Sequence, residues 1–176
     1  PLDFENVLFN TYLKDNFLNS KSCTSLIKKF KDDVRRGEKE YHGYLAKDLE
    51  NTVEYLKLHK KLTPFLKKYV DKFPEINFTA DVWGITNMRF KLFKPGQSFE
   101  RWHSEHSFDY STRLLNIMIY LTEHNCGTEF FNGDYIKSEI GRLVIFPSYF
   151  THTHRGQKCP NNKTRYIITG YVNFIK

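Results

Sequence analysis

Apolar positions along the chain follow two rhythms. Up to about residue 75 they recur every three or four residues. Leu26, Ile27, Phe30 and Val34 form one stripe, and Leu45, Leu49, Val53 and Leu56 a second, the spacing that lines one face of an α-helix. Thr63 followed by Pro64 predicts a cap and first-turn proline for a shorter helix through Phe65, Leu66, Tyr69 and Val70. Helices with one apolar stripe must bury it against something larger, so residues 1–75 are expected to act as helical support.

From residue 80 the period is two. Trp83, Ile85 and Asn87, then Met88, Phe90 and Leu92, predict one long strand that changes phase at a bulge and ends at Pro95-Gly96. Leu115, Ile117, Ile119 and Leu121 alternate with Leu114, Asn116, Met118 and Tyr120, a strand covered on both faces and therefore central. Thr128 to Phe131, the turn Asn132-Gly133-Asp134, and Tyr135 to Ser138 predict a hairpin. Gly141 to Phe146, Phe150 to His154, and Arg165 to Ile175 supply three more strands. No crossover helices separate them, so a small barrel or jelly roll is expected over residues 76–176. The class is mainly β with N-terminal helices, an α+β chain read as one domain over 1–176.

Composition narrows the function. Lys and Arg number 27 against 20 Asp and Glu, a formal charge of +7. The excess is spread out: residues 1–75 hold 15 basic and 12 acidic side chains, and the rest 12 and 8. Without a basic stripe, a nucleic-acid partner is not expected. No apolar run is long enough to span a membrane, and Asp3, Glu5, Lys14 and Asp15 interrupt the start of the chain, so a soluble, cytoplasmic protein is expected. The three cysteines, Cys23, Cys126 and Cys159, show no paired spacing, which argues for a reducing compartment without disulfides.

Five of the seven histidines, His103, His106, His124, His152 and His154, fall within 52 residues of the strand-rich part. His103 and Glu105 are two apart, so on extended backbone both leave the same face and can grip one ion. A histidine from a later strand would complete a 2-His-1-carboxylate face, a ligand set that suits Fe(II) with open positions. Arg165, Ile167 and Thr169 share one face of the last strand. A buried Arg beside a Thr is a receptor for a carboxylate, because the planar guanidinium binds both oxygens. An inward Tyr120 hydroxyl would complete that pocket, and Phe93, Trp102, Phe130 and Phe150 are candidates for its walls.

These residues lie within a longer series: Lys94-Pro95-Gly96, Arg101-Trp102-His103-Ser104-Glu105-His106, Arg113, Ile119-Tyr120-Leu121-Thr122, Gly127-Thr128-Glu129-Phe130-Phe131, Gly141-Arg142-Leu143-Val144-Ile145-Phe146-Pro147, Thr153-His154-Arg155-Gly156 and Arg165-Tyr166-Ile167-Ile168-Thr169-Gly170. In order and spacing the series resembles the 2-oxoglutarate and Fe(II)-dependent oxygenases, in particular their prolyl 4-hydroxylase-like branch. The resemblance implies a double-stranded β-helix, a cupin-like jelly roll, braced by the helices. It implies iron ligation by His103, Glu105 and His154, and a distal 2-oxoglutarate carboxylate held by Arg165, Tyr120 and Thr169. Arg113 would stand at the entrance near substrate. His152 competes with His154 as third ligand; His154 is preferred because it directly precedes Arg155-Gly156, leaving His152 to face substrate.

The implied reaction hydroxylates a protein or peptide residue, with proline the leading target, using O2 and releasing succinate and carbon dioxide; ascorbate is a candidate reductant. Three positions depart from the usual pattern: Glu105 stands where Asp is common, Phe93 where many relatives carry Tyr, and Cys126-Gly127 where a Gly-Gly pair is usual. Two alternatives stay open: the same fold acting on a small metabolite or nucleobase, and a metal- or ligand-binding barrel without turnover.

Overall fold

The computed structural model describes residues 9–37, 40–41, 43–79, 82–159 and 162–175, so the early charges Asp3 and Glu5 lie outside it. The elements run β1 (Tyr12–Lys14), α1 (Ser20–Gly37), β2 (Glu40–Tyr41), β3 (Tyr44–Asp48), α2 (Val53–Lys72), β4 (Trp83–Phe93), β5 (Arg113–Tyr120), β6 (Gly127–Phe130), β7 (Tyr135–Lys137), β8 (Leu143–Pro147), β9 (His154–Gly156) and β10 (Arg165–Phe174). Seven strands form one sheet in the order β1-β8-β5-β10-β4-β3-β2, and three form a second in the order β7-β6-β9. The described pairings are antiparallel. Two such sheets with helices behind the larger make the double-stranded β-helix.

Alternation along the central strands assigns side chains to two cores. Phe90 and Leu92 of β4, Leu115, Ile117 and Ile119 of β5, and Ile168 and Val172 of β10 pack with Phe30 and Val34 of α1 and Leu58 and Leu62 of α2. Their chain neighbours Phe93, Met118, Tyr120 and Ile167 turn the other way, toward Phe130 and Ile136 of the small sheet. All eight residues of β5 are buried, as expected of a strand between β8 and β10. In β4 the phase change falls at Asn87, whose φ of 53° is a conformation Asn tolerates better than most residues. Opposite it, the β10 register slips between Thr169 and Tyr171.

The first part of the chain is less helical than its apolar spacing predicts. Leu45 belongs to β3, which pairs with β4, and β1 pairs with β8, so both add strands to the large sheet. Val53 and Leu56 are exposed at the start of α2, so the second predicted stripe is not one helical face. Four- and three-residue spacing had coincided with strand, turn and helix placed in succession. Thr63-Pro64 does not open a helix either: α2 is capped by Thr52, whose hydroxyl accepts from the Tyr55 amide, and runs through Pro64. Burial of Leu58, Leu62, Leu66 and Tyr69 along one stripe outweighs the interruption by proline.

Two further expectations are overturned. Phe150–His152 is a 3-10 turn, and only from His154 does the chain become a strand, so His152 and His154 do not share a strand face. Cys126 and Cys159 form a disulfide. They are 33 residues apart in sequence, but β6 pairs with β9 so that Thr128 lies opposite Gly156, which brings the flanking cysteine Cα atoms to 5.1 Å. Sequence spacing carries no trace of that pairing. Such cross-links persist in oxidising surroundings, so the cysteines no longer support a reducing compartment. No helix of the described residues is long and apolar enough to cross a membrane.

Candidate active site

Between the sheets lies a cavity of about 310 Å³. At one wall, an isolated antiparallel bridge joins His103 to His154: the His103 amide donates to the His154 carbonyl at 3.1 Å, and the His154 amide returns the bond at 2.9 Å. Because β9 is fixed by β6, with His154 opposite Phe130, this bridge places the irregular segment around His103. One potential ligand atom from each of His103, Glu105 and His154 lies within 4.8 Å of the others. Each imidazole is oriented from behind. His103 Nδ1 faces the Arg101 carbonyl at 3.0 Å and His154 Nδ1 the His152 carbonyl at 2.9 Å. A carbonyl can only accept, so both Nδ1 atoms carry a proton, which leaves each Nε2 as the nitrogen that would bind a cation.

Glu105 is held from two sides. Arg113 Nη1 donates to its Oε2 at 2.9 Å, and His103 Nε2 approaches Oε1 at 3.4 Å. Burial raises the Glu105 pKa, but His103, Lys91 and His154 outweigh it and bring it down to about 2, so the carboxylate is ionised. Burial and the charge of His103 push His154 down to about 4, keeping its imidazole neutral. Two imidazoles and a carboxylate on one face fit a divalent first-row metal with open positions.

The opposite end of the cavity is built on β10, with Arg165, Ile167 and Thr169 all in its lining. Arg165 is buried, its guanidinium 4.5 Å from the Phe93 ring centre. Nη1 donates to the Gln157 carbonyl at 3.2 Å and lies 3.5 and 3.6 Å from the two disulfide sulfurs. Nε of Arg165 and the Thr169 hydroxyl are buried without a partner in the protein. Tyr120 shares a 2.7 Å hydrogen bond with Thr128 and also lines the cavity. Buried polar groups are nearly always satisfied, so the orphan Nε of a buried guanidinium fits an anionic ligand. Gly127 borders this end, and a Cβ there would collide with the Ile136 carbonyl of β7.

The remaining sequence candidates fall differently. Arg113 lines the cavity, but its guanidinium is stacked between the Tyr110 and Tyr171 rings, 3.8 Å from each centre, and is engaged by Glu105. It holds a carboxylate of the protein instead of standing free for substrate. His152 points away: its ring nitrogen donates to the Phe9 carbonyl at 2.6 Å, and it is absent from the cavity lining. A 3-10 turn rotates successive side chains by about a third of a circle, which separates it from His154. Of the expected walls, Phe93 lines the cavity, Phe130 packs against the His154 ring at 5.8 Å, Trp102 lies under Arg155, and Phe150 is 81% exposed. Lys91, Thr128 and Tyr171 also line the cavity. Lys91 could have been found from alternation, since Phe90 and Leu92 face the helices and the residue between them must face inward.

With this geometry in view, comparison with known proteins gives the class. Residues 88–173 match the family model described as the 2OG-Fe(II) oxygenase superfamily. That segment is a 2OG-Fe(II) oxygenase domain, and the superfamily uses Fe(II), 2-oxoglutarate and O2. The fold matches a viral collagen prolyl hydroxylase from Paramecium bursaria Chlorella virus-1, solved with 2-oxoglutarate, at a TM-score of 0.73 and 17% identity over 95% of this chain and 97% of that one. A prolyl-4-hydroxylase from Pseudomonas putida gives 0.72 at 15% identity over 95% and 94% of the chains. A prolyl hydroxylase from Trichoplax adhaerens, complexed with a hypoxia inducible factor peptide fragment, gives 0.68 at 14% over 96% and 85%. Among curated proteins, none matches the chain.

Proposed function

We propose that this chain is a 2-oxoglutarate-dependent Fe(II) dioxygenase that hydroxylates a residue, with proline the leading target, in an exposed flexible peptide segment. The reading is carried by one observation. A two-His, one-carboxylate face shares a single cavity with a buried Arg whose Nε lacks a protein partner. His103, Glu105 and His154 are the metal ligands, and Arg165, Thr169 and Tyr120 receive the distal carboxylate of 2-oxoglutarate. Bound there, Fe(II) supplies the redox chemistry that couples decarboxylation of 2-oxoglutarate by O2 to hydroxylation, giving succinate, carbon dioxide and the alcohol.

The chain's own residues prepare that chemistry. Carbonyls behind His103 and His154 fix the imidazole tautomers. Arg113 restrains Glu105, whose extra methylene relative to Asp would otherwise leave the carboxylate free to swing. Phe93, Tyr44 and Phe99 cluster on one side and keep water from that wall. A peptide target is supported by the fold shared with prolyl hydroxylases, one of them solved with a peptide. A side-chain carbon must reach the cavity from outside, which an extended segment can do and a packed helix or strand cannot.

The test is twofold. Calorimetric titration with Mn(II) should show one site in the wild type and at least a hundredfold weaker binding in His103→Ala. Incubation with Fe(II), ascorbate, 2-oxoglutarate and a proline-containing peptide library should give succinate and peptides heavier by one oxygen. Oxygen added to a free metabolite and to no peptide would move the substrate to the small-molecule class. Normal turnover by His103→Ala would place the metal elsewhere.

A further inference from the structure

The cavity lining includes a cation, Lys91, that the reaction described above does not use. Inward positions of β4 are Arg89, Lys91 and Phe93, and all three line the cavity. Phe93 packs on Arg165 at the cosubstrate end. Arg89 is engaged by Asp48 of β3 at 2.6 Å, and Arg113 by Glu105 at 2.9 Å. Lys91 stands between them, opposite Ile167 of β10 and Ala46 of β3, neither of which can accept a hydrogen bond through its side chain. Its ammonium lies 4.6 Å from the centre of the Tyr44 ring, and among the described residues it has no carboxylate within ion-pair distance.

A half-buried lysine in such a place is incompletely solvated, and the loss is offset only in part by the Tyr44 ring and by longer-range attraction to Glu105. Burial accordingly pushes the Lys91 pKa down to about 8. The wall beside it is aromatic, with Tyr44 and Tyr171 in the same cavity, which favours a ligand whose body is apolar and whose end is charged. Arg165, with its unpartnered Nε, already provides for the distal carboxylate of 2-oxoglutarate. We infer that Lys91 is a specificity-determining residue that receives a carboxylate of the substrate, so that the preferred target is a proline segment carrying an acidic residue or a free C-terminus within a few residues. The inference rests on the oxygenase reading given above.

Pairs of proline peptides identical except for Glu or Gln near the proline, with an amidated or free C-terminus, test it. They are titrated without oxygen into chain loaded with Mn(II) and 2-oxoglutarate. In the wild type at least one carboxylate-bearing peptide should bind about tenfold or more tightly than its neutral twin. Lys91→Met should erase that preference, so that the two twins bind alike, and Lys91→Arg should keep part of it. A preference that survives Lys91→Met, or no preference at any position, overturns the inference. Titration of 2-oxoglutarate into the Mn(II)-loaded variant distinguishes the other source of carboxylate. If Lys91→Met loses more than tenfold in 2-oxoglutarate affinity with peptide preference intact, Lys91 serves the cosubstrate and the substrate assignment falls. Mn(II) and 2-oxoglutarate binding by the wild type, measured first, reports on the oxygenase reading separately.

Discussion

The two faces of the large sheet are made by the same strands and differ in almost every physical respect. Phe90, Ile117 and Ile168 face the helices and are fully buried among apolar side chains. One residue away on each strand, Lys91, Met118 and Thr169 face the cavity, where buried polar atoms lack protein partners. A period of two is therefore enough to build a stabilising face and a chemical face on one set of strands, and a one-residue slip would exchange them. Substitutions on the first face should cost stability and leave ligand affinity intact; substitutions on the second should do the reverse.

The sharpest break is on the helix-side face. Phe90 is fully buried and packs on the rings of Phe30 and Tyr166, centroids 5.6 and 5.8 Å away. Phe90→Ala should destabilise the chain by about 3–5 kcal/mol, read by urea denaturation. Whatever remains folded at low denaturant should bind 2-oxoglutarate and Mn(II) as the wild type does. Altered affinity in that folded fraction would show that the two faces are mechanically coupled.

That division explains what was legible beforehand. The alternation of Leu114 to Leu121 announces a central strand, and the inward run Arg165, Ile167, Thr169 announces a polar face, because both are local and periodic. The order of motif blocks carried the fold and the superfamily. What stayed hidden depends on contacts remote in sequence. Pairing of Cys126 with Cys159 follows from the β6–β9 register, engagement of Arg113 follows from where the segment around Glu105 comes to rest, and β1 and β3 are short strands whose apolar residues mimic helical spacing. The alternation around His152 is deceptive because a 3-10 turn and a strand look alike over three residues.

The disulfide is the covalent counterpart of burial on the cavity side. It ties the start of β6 to the segment after β9, directly behind Arg165. Cys126→Ser combined with Cys159→Ser should lower stability by about 2–4 kcal/mol, because the unfolded chain gains conformational entropy once the cross-link no longer constrains it. Melting followed in the presence and absence of dithiothreitol should show the same loss for the wild type and none for the double variant. A wild-type melting curve indifferent to reductant would mean that burial alone holds this side.

Arg165 is the most direct probe of the chemical face. If Arg165 holds the cosubstrate carboxylate as proposed, Arg165→Ala removes a charge-assisted contact of roughly 1.5–3 kcal/mol and should weaken 2-oxoglutarate binding by more than about tenfold. Arg165→Lys keeps the charge but not the planar fork and should fall between. Calorimetry on Mn(II)-loaded protein measures both, and unchanged affinity in Arg165→Ala would remove this residue from the cosubstrate site.

The smallest effect concerns neither face but the edge of the sheet. Arg142 donates to both oxygens of Asp15 at 2.6 and 3.1 Å, tying the segment after β1 to the turn before β8. The hydrogen bond from Arg142 holds the Asp15 pKa below 3.8, against a smaller opposing effect of burial. A carboxylate with a depressed pKa in the folded state stabilises it at pH values above the unfolded pKa, and that contribution is lost as pH falls through the folded value. Asp15 is 54% exposed, so solvent screening keeps the contribution at or below about 1 kcal/mol. Asp15→Asn should therefore melt slightly below the wild type at pH 7, with a gap that is constant down to about pH 5 and closes below pH 4. Added salt should narrow the gap at pH 7. A gap that instead widens on acidification would mean that Asp15 acts through its packing and not through its charge.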